Sequence, residues 1–191
     1  MSNLGHDGEP LVSLGGPLFR KPGITHEEFS RAWHRHAGVV VPWFLEFGIV
    51  EYIQIHLPGP DTAAAELSAT CSPQDDRAAR RLLREADGVA LVRCKIIPSV
   101  EGNKRPFGDG FTHPYLEKVV AMDERRFLHE EFGAGAIRRE TPAFEIPDVG
   151  ADEWRRLALQ IGGVEHVKLR DSRELIQDVW WDEWEKVEIG T

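Results

Sequence analysis

Phe29-Ser-Arg-Ala-Trp33-His-Arg-His36-Ala-Gly-Val-Val-Val-Pro42-Trp43, followed closely by Val50-Glu-Tyr-Ile-Gln-Ile-His56, is the stretch whose reading decides the fold. At 100° per residue Phe29, Trp33, His36 and Val40 fall on one helical stripe, so His36 points where the apolar side chains point. His34 falls on the opposite side of the same helix. The second segment alternates as a strand, with Ile53, Ile55 and Leu57 on one face and Tyr52, Gln54 and His56 on the other. A helix and a strand that each carry an imidazole toward their common side predict a polar pocket between helix and sheet.

The neighbouring signals extend this unit in both directions. Leu11 to Phe19 reads as a first strand, and Arg20-Lys-Pro-Gly23 as the turn that leaves it. Thr25 and Glu28 have capping-box spacing, which starts the helix, and Pro42 is expected to end it near Val41, with Trp43 to Phe47 forming a short second helical piece. Gly48 closes that piece. Pro58-Gly-Pro60 opens a loop through Ser72; Asp75 to Ala86 reads as an Arg-rich helix, and Val89 to Ile97 as a third strand. Glu101 to Gly110 is expected to be a long loop. Pro114, after Thr112 and His113, starts another helix whose stripe is Leu116, Val119, Val120, Asp123 and Phe127, which places a carboxylate among apolar neighbours. Asp152 to Gln160 reads as a helix and Val164 to Leu169 as the fourth strand.

The order strand, helix, strand, short helix, strand, helix, strand is the βαββαβ pattern of ferredoxin-like α+β folds. Four strands with helices on one face leave the other face open. Pairing two such sheets across a two-fold axis into a dimeric α/β barrel is a symmetric way to cover it, so a homodimer is expected. The domain reading is a loose arm over 1–10, a core over 11–130, and an extension over 131–191. The extension holds the fourth strand and an acidic tail from Asp171 with seven acidic residues, two basic residues and three tryptophans, spaced as an amphipathic helix.

Composition narrows the function classes. The chain has 191 residues, 41% hydrophobic and 29% charged, as in ordinary globular proteins, and no apolar run of membrane-spanning length. The first twenty residues lack a basic start and an apolar stretch of signal-peptide length, so a cytoplasmic location is the default expectation. A net charge of −9 with no clustered basic surface argues against nucleic acid as a partner. Cys71 and Cys94 are too few and too far apart for a disulfide framework or a zinc ribbon. His34 and His36, two apart on a helix, cannot face one ion, and no His-x-x-x-His pair appears. With no Gly-x-Gly-x-x-Gly and no Gly-x-Ser-x-Gly, neither a nucleotide cofactor nor a hydrolase elbow is supported. No cofactor and no metal are expected.

Several segments match a known family in order: Arg20-Lys-Pro-Gly, Glu28-Phe29, Trp33, His36-Ala-Gly-Val-Val-Val-Pro-Trp43, Gly48-Ile-Val-Glu-Tyr-Ile-Gln-Ile-His56, Asp87-Gly-Val-Ala, and His113-Pro-Tyr with Met122-Asp-Glu-Arg-Arg-Phe127. Over about residues 11 to 130 the chain resembles EthD-domain proteins of the dimeric α/β-barrel superfamily, most closely the fungal type that accompanies aromatic polyketide pathways. The resemblance implies a small cofactor-independent enzyme on a fused aromatic substrate, a decarboxylase or dehydratase. A cofactor-free anthrone-type monooxygenase is the alternative, and a noncatalytic helper that binds an intermediate is a third reading.

His36 is the first candidate for general acid/base, since a neutral imidazole in a semi-apolar pocket moves protons near pH 7; its alternative is a histidine bonded to a backbone carbonyl. His56, beside Tyr52 and Gln54, either bonds a polyphenol or faces solvent. His113 is a catalytic candidate or a helix-start residue. Asp123 either caps a restarted helix or orients an imidazole and raises its basicity. Trp33, Trp43, Tyr52, Gln54 and Phe127 are the expected substrate-binding side chains.

Overall fold

The computed structural model describes residues 10–59, 74–129 and 149–170. The arm over 1–9, most of the expected loop after Pro58, residues 130–148 and the acidic tail from Asp171 lie outside the described residues, as does Cys71.

The first strand, β1 (Leu11–Leu18), leads through the Arg20–Gly23 turn to a long helix, α1 (His26–Glu46). Its start is a complete capping box: the Glu28 N–H donates to Thr25 Oγ1 at 3.2 Å, and the Thr25 N–H donates to Glu28 Oε2 at 2.7 Å. The expected end near Val41 is corrected by the structure, in which α1 continues through Pro42 to Glu46. Proline costs the helix one hydrogen bond to Gly38, whose lack of a side chain keeps that turn uncrowded, while Val41, Trp43 and Phe44 are buried on both sides of it. Tertiary burial outweighs local propensity here. Phe47 caps the end by donating its N–H to Trp43 O at 3.2 Å, and Gly48, at φ +76°, makes the left-handed turn into β2 (Ile49–His56).

Strand β3 (Gly88–Pro98) lies between β1 and β2, antiparallel to both, so that β1–α1–β2 is a split β-α-β unit. Helix α2 (Gln74–Glu85) precedes β3. The expected long loop after β3 is in fact a short hairpin, β4 (Lys104–Pro106), paired on Ile96–Pro98, with a 3-10 turn over Gly110–Thr112 beyond it. A π-helical turn over Leu116–Val120 then runs into α3 (Ala121–Glu124). Last come α4 (Ala151–Gln160) and β5 (Val164–Arg170). The sheet order is β1-β3-β2-β5, an α+β arrangement of the ferredoxin-like class in which the fourth strand pairs antiparallel with β2.

Both faces of this sheet are covered. On one, α1 and the π-turn pack Val40, Trp43, Phe44, Leu116 and Val120 against Tyr52, Cys94 and Leu169. On the other, α4 and α2 pack Trp154, Leu157, Ala158, Ile161 and Leu83 against Ile53, Ile55, Val89 and Leu91. The open face from which a two-fold partner was expected is therefore occupied by the chain's own extension. A bidentate pair, Arg155 to Glu165 at 2.8 and 2.7 Å, ties α4 to β5.

Candidate functional site

Residues four apart on a helix stand one above another, and His26, Ser30 and His34 use that spacing to present polar groups along one line of α1. The line faces the ends of β2 and β5, where His56 and His166 lie on the same side of the sheet; His166 is the register partner of Gln54. Together these side chains, with Leu57, Pro58 and Val164, border a cavity of about 630 Å³. Exposed Arg31 and Arg35 stand at its rim. Among the described residues no acidic side chain lines it.

His56 is the most constrained of the imidazoles. Its Nδ1 is 2.6 Å from Ser30 Oγ, its Nε2 is 3.4 Å from Gln54 Oε1, and the Trp33 ring lies against it with centroids 4.6 Å apart. The Gln54 amide cannot turn over without loss, because its Nε2 donates to Trp33 O at 2.7 Å and to the Tyr52 hydroxyl at 3.0 Å. That orientation assigns the proton of His56 to Nε2 and leaves Nδ1 to accept the Ser30 hydroxyl. Burial, followed by the positive neighbours His166, His34, Lys168 and His26, pushes the His56 imidazole down to about 3. At neutral pH it is an uncharged base at the floor of the cavity.

Two other imidazoles stand close to it. His166 is 4.9 Å and His34 6.2 Å from the His56 ring, centroid to centroid, and the His34 and His166 rings are 5.5 Å apart. Buried Lys168 places Nζ 2.8 and 3.1 Å from the two ring nitrogens of His34. His26 is held from behind by Asp87, its Nδ1 lying 2.9 Å from Asp87 Oδ1, while Arg20 reaches the same carboxylate through Nη1 at 2.6 Å and its backbone N–H at 2.8 Å. Among the described residues no three His, Cys, Asp or Glu side chains converge as metal ligands.

His36 belongs to a second centre. Its Nδ1 is 2.7 Å from Asp123 Oδ2 and its Nε2 is 3.7 Å from Glu124 Oε1, with the Phe127 ring 5.1 Å away. Burial opposes the charged imidazole, but hydrogen bonds and attraction from Asp123 and Glu124 outweigh it, so the His36 pKa is raised. Asp123 is correspondingly lowered, the pull of His36 overcoming the cost of its partial burial. Asp123 sits inside α3 rather than at a cap, and its carboxylate orients an imidazole. This pair is enclosed between α1 and α3 and does not border the cavity.

Of the side chains expected at the site, His56 lines the cavity, with Trp33, Gln54 and Tyr52 buried directly behind it. Burial raises the Tyr52 hydroxyl pKa, keeping it a neutral partner. Phe127 packs in the core beside Phe29. Trp43 stacks on Phe107 and donates Nε1–H to Gly110 O at 3.3 Å, and His113 accepts the Tyr115 N–H at 3.3 Å with its ring against Phe47; neither borders the cavity. His26, Ser30, His166 and Lys168 were not singled out by sequence, and His34 was noted only as lying opposite His36. The four-residue repeat of His26, Ser30 and His34 was the available signal.

The fold is that of a small α+β protein with a histidine-lined cavity between one helix and the sheet. Residues 21–131 match the EthD domain, and the chain belongs to the EthD family. No curated protein and no solved structure matches it. The matched segment contains α1, β2, β3 and the carboxylates of α3, whereas α4 and β5, which bring His166 and Lys168, lie beyond it. No helix among the described residues is long and apolar enough to cross a membrane.

Proposed function

We propose that the protein is a cofactor-independent lyase acting on a fused aromatic, polyketide-type substrate, releasing carbon dioxide or water, with His56 as the proton-handling base. The observation that carries this reading is the uncharged His56, fixed between Ser30 and Gln54 on the floor of a cavity of about 630 Å³. That volume suits a drug-sized ring system, and the flat Trp33 ring behind His56 stiffens the floor. EthD membership supports a small enzyme-like or ligand-binding protein.

For decarboxylation, the bond from ring carbon to carboxylate breaks, its electron pair enters a neighbouring β-carbonyl, and the resulting enolate receives a proton at carbon from a protonated histidine of the cavity. For dehydration, Ser30 Oγ takes the proton from carbon as it passes its own proton to His56 Nδ1, the electron pair forms the new double bond, and the hydroxyl leaves with a proton from a second imidazole, His34 or His166. His36, buried between two carboxylates, positions α1 instead of meeting substrate.

Purified protein is incubated with a hydroxyanthracene carboxylic acid, first without oxygen and then in air, and the products are followed by mass. Loss of carbon dioxide or water without oxygen is the expected result. Oxygen incorporation in air alone would establish the monooxygenase reading instead, and binding without turnover a noncatalytic role. His56→Ala should abolish turnover in a folded protein, whereas a folded His36→Ala should retain it; the reverse outcome returns the base to His36.

A further inference from the structure

Two imidazoles of the cavity sit in opposite surroundings. His56 meets neutral partners through both ring nitrogens, Ser30 at 2.6 Å and Gln54 at 3.4 Å, which suits it to accept a proton rather than deliver one. His26, the first residue of α1, meets a carboxylate: its Nδ1 lies 2.9 Å from Oδ1 of buried Asp87. That carboxylate is held on several sides. Arg20 donates its backbone N–H to Oδ2 at 2.8 Å and its Nη1–H to Oδ1 at 2.6 Å. The Asp87 backbone is pinned between the ends of β1 and β2, donating its N–H to Leu18 O at 2.9 Å and accepting the Leu57 N–H at 3.1 Å.

Asp87 accepts, so His26 keeps a proton on Nδ1. His26 borders the cavity and Asp87 does not, which leaves Nε2 as the nitrogen presented to a ligand. Gly59 lies against the ring, where a Cβ would come within 3.2 Å of His26 Cγ and 3.3 Å of Cδ2. The N-terminus of α1 opposes a positive charge at this position, and the Asp87 carboxylate offsets that opposition when Nε2 takes up a proton as well.

We propose that His26 is the catalytic acid of the cavity, delivering a proton from Nε2 to carbon, with Asp87 and Arg20 as its positioning residues. The role rests on the lyase reaction proposed above and supplies the histidine that protonates carbon in it. In the decarboxylation the enolate carbon forms its C–H bond with the Nε2 proton, His26 returns to the neutral Nδ1–H form against Asp87, and solvent entering the cavity reloads Nε2. On a ring with no carboxylate to lose, the same step exchanges hydrogen. A hydroxyl-activated ring carbon takes a deuteron from Nε2, becomes tetrahedral, and gives its original proton back to neutral His26 as the ring regains aromaticity.

That exchange tests the acid without any lyase chemistry. The full-length protein is incubated in heavy water with 1,3-dihydroxynaphthalene, and deuterium entering the ring is followed by proton NMR and mass. The wild type should label the ring faster than buffer alone. His26→Ala, checked for fold by circular dichroism, should lose about a hundredfold or more of the added rate, and free imidazole should restore part of it, which a merely structural residue would not show. If His26→Ala does not fold, His26→Gln takes its place with loss of labelling as its readout. In nitrogen-15 spectra of the wild type above about pH 8, neutral His26 should carry its proton on Nδ1. Labelling no faster than buffer, full labelling by a folded His26 variant, loss without imidazole rescue in His26→Ala, or a proton on Nε2 of neutral His26 each overturns the assignment. Labelling by the wild type without loss of carbon dioxide or water from the anthracene acid would refute only the lyase reading.

Discussion

Replacing Asp123 by Asn keeps the shape of the side chain and removes the charge that faces His36. In the wild type Asp123 Oδ2 lies 2.7 Å from His36 Nδ1, with the histidine side chain 4% and the aspartate 22% exposed. Breaking a fully buried pair by removing one partner costs about 3–5 kcal/mol. Glu124 stays 3.7 Å from Nε2, and Asp123 is partly solvated, so the loss should fall below that range, at about 2 kcal/mol. In a chain of this size that lowers Tm by roughly 4–8 °C. The effect has a pH window. His36 binds its proton more tightly folded than unfolded, so its contribution is full below the ordinary value of 6.5 and fades as pH rises through the higher folded value. Asp123, lowered from 3.8, contributes above that value and loses its contribution as pH falls through the lower folded one. The difference between wild type and Asp123→Asn should thus be largest between about pH 4 and pH 6.5 and shrink toward both ends. Thermal unfolding by circular dichroism across a pH series measures it. A Tm drop below about 1 °C at pH 6, or one that keeps growing above pH 8, would refute the pairing as the source of stability.

The other histidine shapes the acid limb. His56 has a folded pKa near 3 against 6.5 unfolded, so it withdraws up to about 1.4 kcal/mol of stability for each pH unit below 6.5, and His56→Gln should flatten that limb in urea titrations. Gly88→Ala drives a Cβ into Trp33 Cζ3 and to 2.8 Å from Cη2, on a buried ring that cannot step aside. A cost of about 2–3 kcal/mol and a shifted tryptophan fluorescence are expected, and a change under about 0.5 kcal/mol would contradict the close approach. Trp154→Ala should cost about 3–5 kcal/mol and make sedimentation concentration-dependent as the cover over Ile53, Ile55 and Leu91 loosens; an unchanged Tm would mean that α4 does not hold that face.

Local rules carried the strands and helices because their signals are short-range. Alternation in Val50–His56 assigned Ile53 and Ile55 to one face and Tyr52, Gln54 and His56 to the other, and Ile53 and Ile55 do join one buried cluster while Tyr52 joins the other and bonds Gln54. The capping box at Thr25 needed only four residues to read. Pro42 failed because its local penalty is set against burial of Trp43 and Phe44, which depends on strands far away in sequence. A pocket between helix and sheet was legible, but the side of α1 that lines it was not, for the same reason. His36 was conspicuous on an apolar stripe, but a stripe tells only that a side chain is buried, and the partner that buries it, Asp123 or a ligand, is a tertiary fact. His34, on the other side of α1, reads as solvent-facing until β5 is known to lie beside β2 and carry His166 and Lys168 under it.

The extension resolves both difficulties at once. A four-stranded sheet with helices on one side must cover its second face, and sequence alone admits either a second copy or a later part of the same chain. Here Trp154, Leu157 and Ile161 cover that face by packing on Ile53, Ile55 and Leu91. Once α4 is on that face, the following strand must return along the nearest free edge, and only two residues, Gly162 and Gly163, separate α4 and its cap from β5. A Cβ at Gly163 would meet Ala158 O at 2.7 Å and Ile55 Cγ2 at 2.8 Å, so the turn is held tight against β2. That tight turn fixes the register in which Gln54 faces His166, and the register delivers His166 and Lys168 to the cavity side. Covering the sheet and completing the histidine cluster are therefore one structural event, and a change that loosens α4 should displace His166 from the cavity even though no α4 side chain lines it.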